Sequence, residues 1–138
     1  LSPGLIQLIA YSVSLAAGCR YCQAHTSHTG HRAGVDEEKF AKLLQYEQSE
    51  DFTPAEQAVT RLALSARQLP KESNEAQYDA QREHFSKRQI VQIVAVISLF
   101  GFLNRWNDTM ATELEPSPVA FAQDVLAASG WQAGKHGS

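Results

Sequence analysis

Only two cysteines stand among the 138 residues of this chain, and they are three positions apart, Cys19 and Cys22. A secreted disulfide scaffold spreads several cysteines along its sequence to close long loops. A bridge between these two would constrain very little of the unfolded chain. The pair therefore reads as chemical rather than structural, and the expected location is cytoplasmic. Basic charge is also scarce: 12 Lys and Arg face 15 Asp and Glu, a formal net charge of −3, with no basic block of five or more. That balance gives no phosphate-binding surface, so nucleic acid is not an expected partner. The 8 glycines are scattered, and no Gly-rich phosphate loop or flavin, haem or nucleotide motif is visible. No cofactor is expected.

A long hydrophobic run is missing as well. The longest apolar stretch, Ile90 to Leu103, is interrupted by Gln92 and Ser98 and falls short of the roughly 20 apolar residues a bilayer span needs. It reads as a buried core helix, and a membrane is not an expected partner. The start, Leu1-Ser2-Pro3-Gly4, has neither a basic n-region nor a small-residue cleavage signature, so no signal peptide is expected there.

What is present is ordinary for a globular protein. Apolar residues make up 43% and charged residues 20%, and the length suits one domain with a real core. We expect a single domain over 1–138, with 130–138 a flexible tail that frays from Gly134. Helix signals recur and strand signals barely appear. Leu5 to Ala17 has apolar residues at roughly helical spacing, and Gly18 interrupts it. A second helix is expected from near Cys19 to Ala33, stopped by Gly34. Val35-Asp36 reads as a staple residue and N-cap, with Phe40 as the staple partner. Thr53-Pro54-Ala55-Glu56 is a capping box with Pro at the first helical position. It opens a helix with Val59, Leu62, Ala63, Ala66 and Leu69 on one face and Pro70 at its close. Ser73 is expected to cap a short polar helix through Tyr78 to His84. Ser86 to Gln89 is another capping box, stapled by Phe85 and Ile90, opening a long helix to about Thr109. Ser117-Pro118 starts the last helix, which stops at Gly130. Five to seven helices and no repeat give an all-α fold. Because Ile90 to Leu103 is apolar nearly all round, it must be covered on every side, and an oligomer interface would supply part of that cover.

The chemistry concentrates between Gly18 and His31. Gly18 puts Cys19 at the amino end of a helix, where free N–H groups and the helix dipole favour a thiolate. At about 100° per residue, Cys19 and Cys22 share one face, roughly 60° apart, and can form and break a disulfide with little backbone movement. His25 lies one turn beyond Cys22, a candidate proton acceptor. A thiol, a resolving thiol and an imidazole are the parts of a peroxide-reducing or disulfide-exchanging site. Two other readings stay open. The cysteines can be small buried hydrophobes, or Cys19, Cys22, His25 and His28 can be a zinc string. Geometry counts against zinc, because on a continuous helix His28 points about 180° from Cys19. His28 and His31 read as exposed or interfacial, His84 as solvated and His136 as tail.

Gly-Cys-x-Tyr-Cys-x-x-His (Gly18 to His25), followed by Arg32-Ala33-Gly34-Val35 and later by Gly101 to Asp108, resembles the AhpD-like alkylhydroperoxidase group of the carboxymuconolactone decarboxylase superfamily. The resemblance covers about Leu1 to Thr112. It implies an all-α fold of about six helices, assembly into trimers or hexamers, and reduction of hydroperoxides through a redox CxxC. Carried onto this chain, Cys22 would be the peroxidatic cysteine that passes through sulfenic acid, and Cys19 the resolving one. The decarboxylase members lack this pair. Two positions depart from the family pattern. The relay Glu, 12 residues before the first cysteine, is Gln7 here, and the relay His, four after the second cysteine, is Thr26. An amide cannot raise the basicity of a histidine as a carboxylate does. His25, one residue before Thr26, shares its helix face and is the expected substitute, helped by Gln7. The reading is thus a hydroperoxide reductase using Cys22, Cys19, His25 and Gln7, with an unidentified dithiol as electron donor. The alternatives are a protein thiol–disulfide oxidoreductase or redox sensor, and a non-catalytic helical binding module.

Overall fold

The computed structural model describes residues 1–68 and 71–137. Among these the chain forms seven α-helices and no strand, the all-α architecture expected. Leu69 and Pro70, the expected end of the fourth helix, lie outside the described residues.

Helix α1 (Pro3–Ala17) is capped by Ser2, whose side chain accepts from the Leu5 N–H, with Pro3 at the first position. It ends at Gly18, in the left-handed region at φ 72°, which returns its N–H to Leu15 and Ser14. The chain then doubles back as α2 (Arg20–Arg32), an antiparallel pair. Close approach is needed along this pair: a Cβ added at Gly30 would stand 2.5 Å from Phe40 Cζ and 3.2 Å from Gln7 Cβ.

Helix α1 is the axis of the fold because it is apolar on two faces. On one side Leu8 and Tyr11 join Ala24, Phe40, Leu43, Leu126 and Trp131 in one core cluster. On the other, Ile9 and Val13 join Val59, Leu62, Ala63, Ile93 and Ile97 in a second. The first cluster is closed by α3 (Glu37–Ala41), a 3₁₀ turn at Leu43–Gln45, and α7 (Pro116–Val125). The second is closed by α4 (Pro54–Arg67), α5 (Glu75–His84) and α6 (Lys87–Met110). The capping boxes at Thr53 and Ser86 form as expected, each with its reciprocal Glu or Gln bond.

Four expectations are corrected. Helix α5 is capped by Asn74 rather than Ser73, because Asn74 and Gln77 complete the reciprocal pair of bonds. Helix α7 opens at Pro116 and ends at Val125; a 3₁₀ turn, Ala127–Ser129, leads to Gly130 at φ 75°. Residues 131–137 are no loose tail. Trp131 and His136 are buried, the Trp131 indole N–H donates to the Arg20 carbonyl at 3.2 Å, and the Leu114 N–H donates to the His136 carbonyl. These bonds fasten the chain end over the start of α2. Finally, α6 is not a buried core helix. Only Ile93, Ile97 and Asn104 of it are buried, while Val91, Leu99, Phe102, Trp106 and Met110 are exposed. By length and composition α6 could cross a membrane.

Candidate redox-active site

The site is built where α1 turns into α2 beneath α6. The Cys19 N–H donates to the Ser14 carbonyl at 3.2 Å, which fixes Cys19 as the N-cap of α2. Its Sγ accepts from the Cys22 N–H at 3.2 Å, the position a capping oxygen would take. The two cysteines are joined as a disulfide, with Cα atoms 5.3 Å apart. Cys19 is wholly buried and Cys22 retains 3% of its surface, so of the two sulfurs Cys22 is the one nearer an approaching molecule.

Helix α6 supplies the opposing wall. Cys22 Sγ lies 4.0 Å from the Leu103 carbonyl and 3.9 Å from Asn107 Nδ2. The Asn107 amide is held at both ends: Nδ2 donates to the Leu103 carbonyl at 3.0 Å, and Oδ1 accepts from Thr112 Oγ1 at 2.9 Å. Its N–H₂ group is thereby turned toward the sulfur. Below it a buried polar layer ties three helices together. Ser14 Oγ donates to Asn104 Oδ1 at 3.0 Å, and Gln23 Nε2 to the Ser14 carbonyl at 3.4 Å. The family resemblance marks Gly101 to Asp108 as a segment, but one sequence does not reveal that Asn107 within it reaches Cys22.

His25 turns away from this wall. Its Nε2 lies 2.6 Å from Glu115 Oε2, and its ring lies 4.4 Å from that of Tyr21. No hydrogen bond joins it to either cysteine among the described residues. Glu115 is the N-cap of α7. Its own backbone N–H does most to hold its carboxyl below the usual range; burial opposes this, and the His25 ring beside it adds to the lowering. Glu115 is not among the candidate residues that the sequence offers.

Gln7 does not join His25. The antiparallel register sets Gln7 against Gly30, eight residues beyond Cys22 and so roughly 12 Å along the helix. Gln7 makes no hydrogen bond to His25 or the cysteines among the described residues. The carboxylate at this histidine comes from the start of α7, brought there by packing rather than by sequence spacing. Thr26 is buried, and its hydroxyl donates its one proton to the Cys22 carbonyl at 2.6 Å rather than to a sulfur.

His28 and His31 line the seam between α2 and α7. His28 Nε2 is 3.2 Å from Ser117 Oγ, and the rings of His28 and His31 lie 5.4 and 5.1 Å from Phe121. His136, expected in the tail, is 1% exposed. Its Nδ1 is 2.9 Å from the Thr112 carbonyl and therefore carries the proton there. Among the described residues no group of three or more His, Cys, Asp or Glu side chains converges to hold a metal, so the zinc string of α2 does not assemble.

A helical bundle with a CxxC disulfide at the start of its second helix defines an AhpD-like thiol–disulfide fold. Residues 1–65, a little under half of the chain, match the carboxymuconolactone decarboxylase family, which with the AhpD-like fold supports a place in that superfamily. It is 29% identical over 103 residues to the uncharacterized protein YdfG of Bacillus subtilis (strain 168), covering 73% of this chain and 67% of that protein. Among solved structures it is similar to the debrominase Bmp8, with 30% identity and a TM-score of 0.82 over 91% of this chain and 67% of that one. A cysteine-to-alanine variant of Bmp8 in complex with 2,3,4-tribromopyrrole matches equally well. The AhpD core of a peroxidase-related protein from Ralstonia eutropha JMP134 shares the fold, with a TM-score of 0.76 at 24% identity over 91% of this chain and 65% of that one.

Proposed function

We propose that the protein is a thiol-dependent hydroperoxide reductase. The observation that carries this reading is the Cys19–Cys22 pair at the α2 N-terminus, with the less completely buried cysteine, Cys22, facing the Asn107 amide. In the reduced protein the Cys22 thiolate attacks the distal oxygen of a hydroperoxide. The O–O bond breaks, the alcohol leaves with a proton, and Cys22 becomes a sulfenic acid. Cys19 then attacks that sulfur, water leaves, and the disulfide forms. An external dithiol returns the two electrons by exchange. The helix N-terminus and the Asn107 N–H₂ stabilise negative charge on Cys22. His25, oriented by Glu115, is the proposed proton acceptor at the edge of the site. It reaches the sulfur through water or a side-chain turn, because no direct bond links them.

The similarity to a debrominase favours a second reading with the same electron count. A dithiol and an aryl bromide would give a disulfide, the debrominated arene and hydrogen bromide. One experiment separates the two. The fully reduced protein is mixed in single turnover with cumene hydroperoxide or with 2,3,4-tribromopyrrole, alongside Cys22→Ser and Cys19→Ser. Rapid loss of two thiols with the peroxide, and sulfenic acid trapped at Cys22 in Cys19→Ser, supports the peroxidase. Bromide release with slow peroxide oxidation would replace it by the dehalogenase. Peroxide turnover undiminished in Cys22→Ser would sink both assignments of that sulfur. We further propose self-association, for which the open face of α6 is the support, and a cytoplasmic location, for which the support is a cysteine pair too closely spaced for a secreted disulfide scaffold.

A further inference from the structure

A cleft of about 420 Å³ lies on the flank of α6 between α1, α4 and α5. Val94 and Phe102 form its exposed apolar rim over a floor of the buried Val13, Leu62 and Ile97, and its lining also carries Arg67, Lys71 and Arg105. None of its described lining residues is acidic. The three cations are absent from the salt bridges among the described residues, where every other pairing of Lys or Arg involves a carboxylate elsewhere on the surface. Arg67 adds a sharper sign: its Nε is buried and has no hydrogen-bond partner. A buried guanidinium N–H left unpaired is costly, and a carboxylate that reaches it relieves the cost with a charge-assisted, commonly bidentate pair.

The cleft is also set apart from the sulfurs. On α6, Leu103 and Asn107 face Cys22, whereas Ile97, Gly101 and Arg105 line the cleft. At about 100° per residue Leu103 and Arg105 point some 160° apart, so the cleft opens on the far side of the helix from the disulfide.

From this we infer that the protein binds a small amphipathic carboxylate, with an alkyl or aryl body against Val94 and Phe102 over the floor of the cleft and its carboxylate on Arg67 and Arg105. Apolar contact supplies general affinity, and the unpaired cations set the sign of charge. The inference does not depend on the peroxidase reading, since no cysteine takes part.

The test is calorimetric titration of the intact protein with octanoate below its micellar concentration, with 1-octanol and octylammonium as probes of equal chain length. Amide NMR shifts locate the site. The expected result is saturable binding of octanoate, shifts centred on Val94, Gly101 and Phe102, and no binding of octylammonium. Arg67→Gln and Arg105→Gln should each weaken octanoate by about tenfold or more, the loss of one charged hydrogen-bonding partner. Arg105 is exposed on α6, so its variant decides the matter if Arg67→Gln fails to fold. Octanol binding as tightly as octanoate, unchanged affinity in Arg105→Gln, or no saturable binding would each overturn the inference. The last result would also arise if a second copy of the chain closes the cleft through Phe102, and it counts equally against the site.

Discussion

Asn107 is the residue on which the site's electrostatics turn. A side-chain amide can present either its oxygen or its N–H₂ to a neighbour, and here Thr112 Oγ1 occupies the oxygen while the Leu103 carbonyl takes one N–H. Only the donor end is left for Cys22. At 3.9 Å the contact to sulfur is long, so its effect on a thiolate belongs at the low end of a charged hydrogen bond, about 1.5 kcal/mol. Asn107→Ala should therefore slow oxidation of the reduced protein by cumene hydroperoxide about tenfold, read by stopped-flow loss of thiol. Asn107→Asp is nearly isosteric yet sets a carboxylate beside the developing thiolate, and should be slower still. A side chain that mattered only for packing would give the reverse order, with Asp closer to the parent.

Helices α2 and α7 meet through histidines, which makes their junction sensitive to acid. Burial first, then Arg32, His25 and His31, lower the His28 pKa below the usual value near 6.5. Ser117 and Phe121 face it from α7. A histidine with a depressed folded pKa contributes stability that is present above about pH 6.5 and is lost as pH falls through the folded value. The urea midpoint should accordingly fall between pH 7 and 5, and fall less in His28→Gln; parallel curves would remove His28 from the account. The α1–α2 pair gives a second prediction. Gly30→Ala ought to favour a helix by up to about 1 kcal/mol, but the new methyl would meet Phe40, which is buried and edge-packed on Tyr11 at 5.1 Å. Overpacking costs about 1–3 kcal/mol and should win, giving a lower denaturation midpoint. At this scale much could be read from the sequence. Thr53-Pro54-Ala55-Glu56 and Ser86 to Gln89 announce their helices because capping is local chemistry, and Gly18 announces the turn that sets Cys19 at a helix start. The partners of His25 could not be read the same way. Gln7 stands at the family's relay position in sequence, whereas the carboxylate that meets His25 arrives from Glu115, ninety residues on, through packing that no local rule contains.

For the whole molecule the unsettled surface is α6. Its apolar character all round was evident in the residues, but hydrophobicity says that a face must be covered and not by what. Within the chain, α1 and α4 cover the side of Ile93 and Ile97. The other side leaves Val91, Leu99, Phe102, Trp106 and Met110 between 54% and 69% exposed, and their spacing places them along one stripe. A contiguous apolar stripe of this kind marks an interaction surface. A bilayer is the poorer cover, since Asn104, Arg105, Asn107 and Asp108 crowd one half of the helix and would be costly in hydrocarbon. A second copy can seat the same stripe against itself. We expect the purified protein to sediment as a trimer or hexamer, the assemblies its family resemblance implies. Phe102→Glu combined with Trp106→Glu would bury unpaired carboxylates in that contact, at several kcal/mol, and should shift the protein to monomer with its helical circular dichroism retained. Flotation of the parent protein with neutral lipid vesicles would point to the membrane instead. A monomer in both parent and variant, with no flotation, would leave the stripe without a self-partner and turn attention to a different protein.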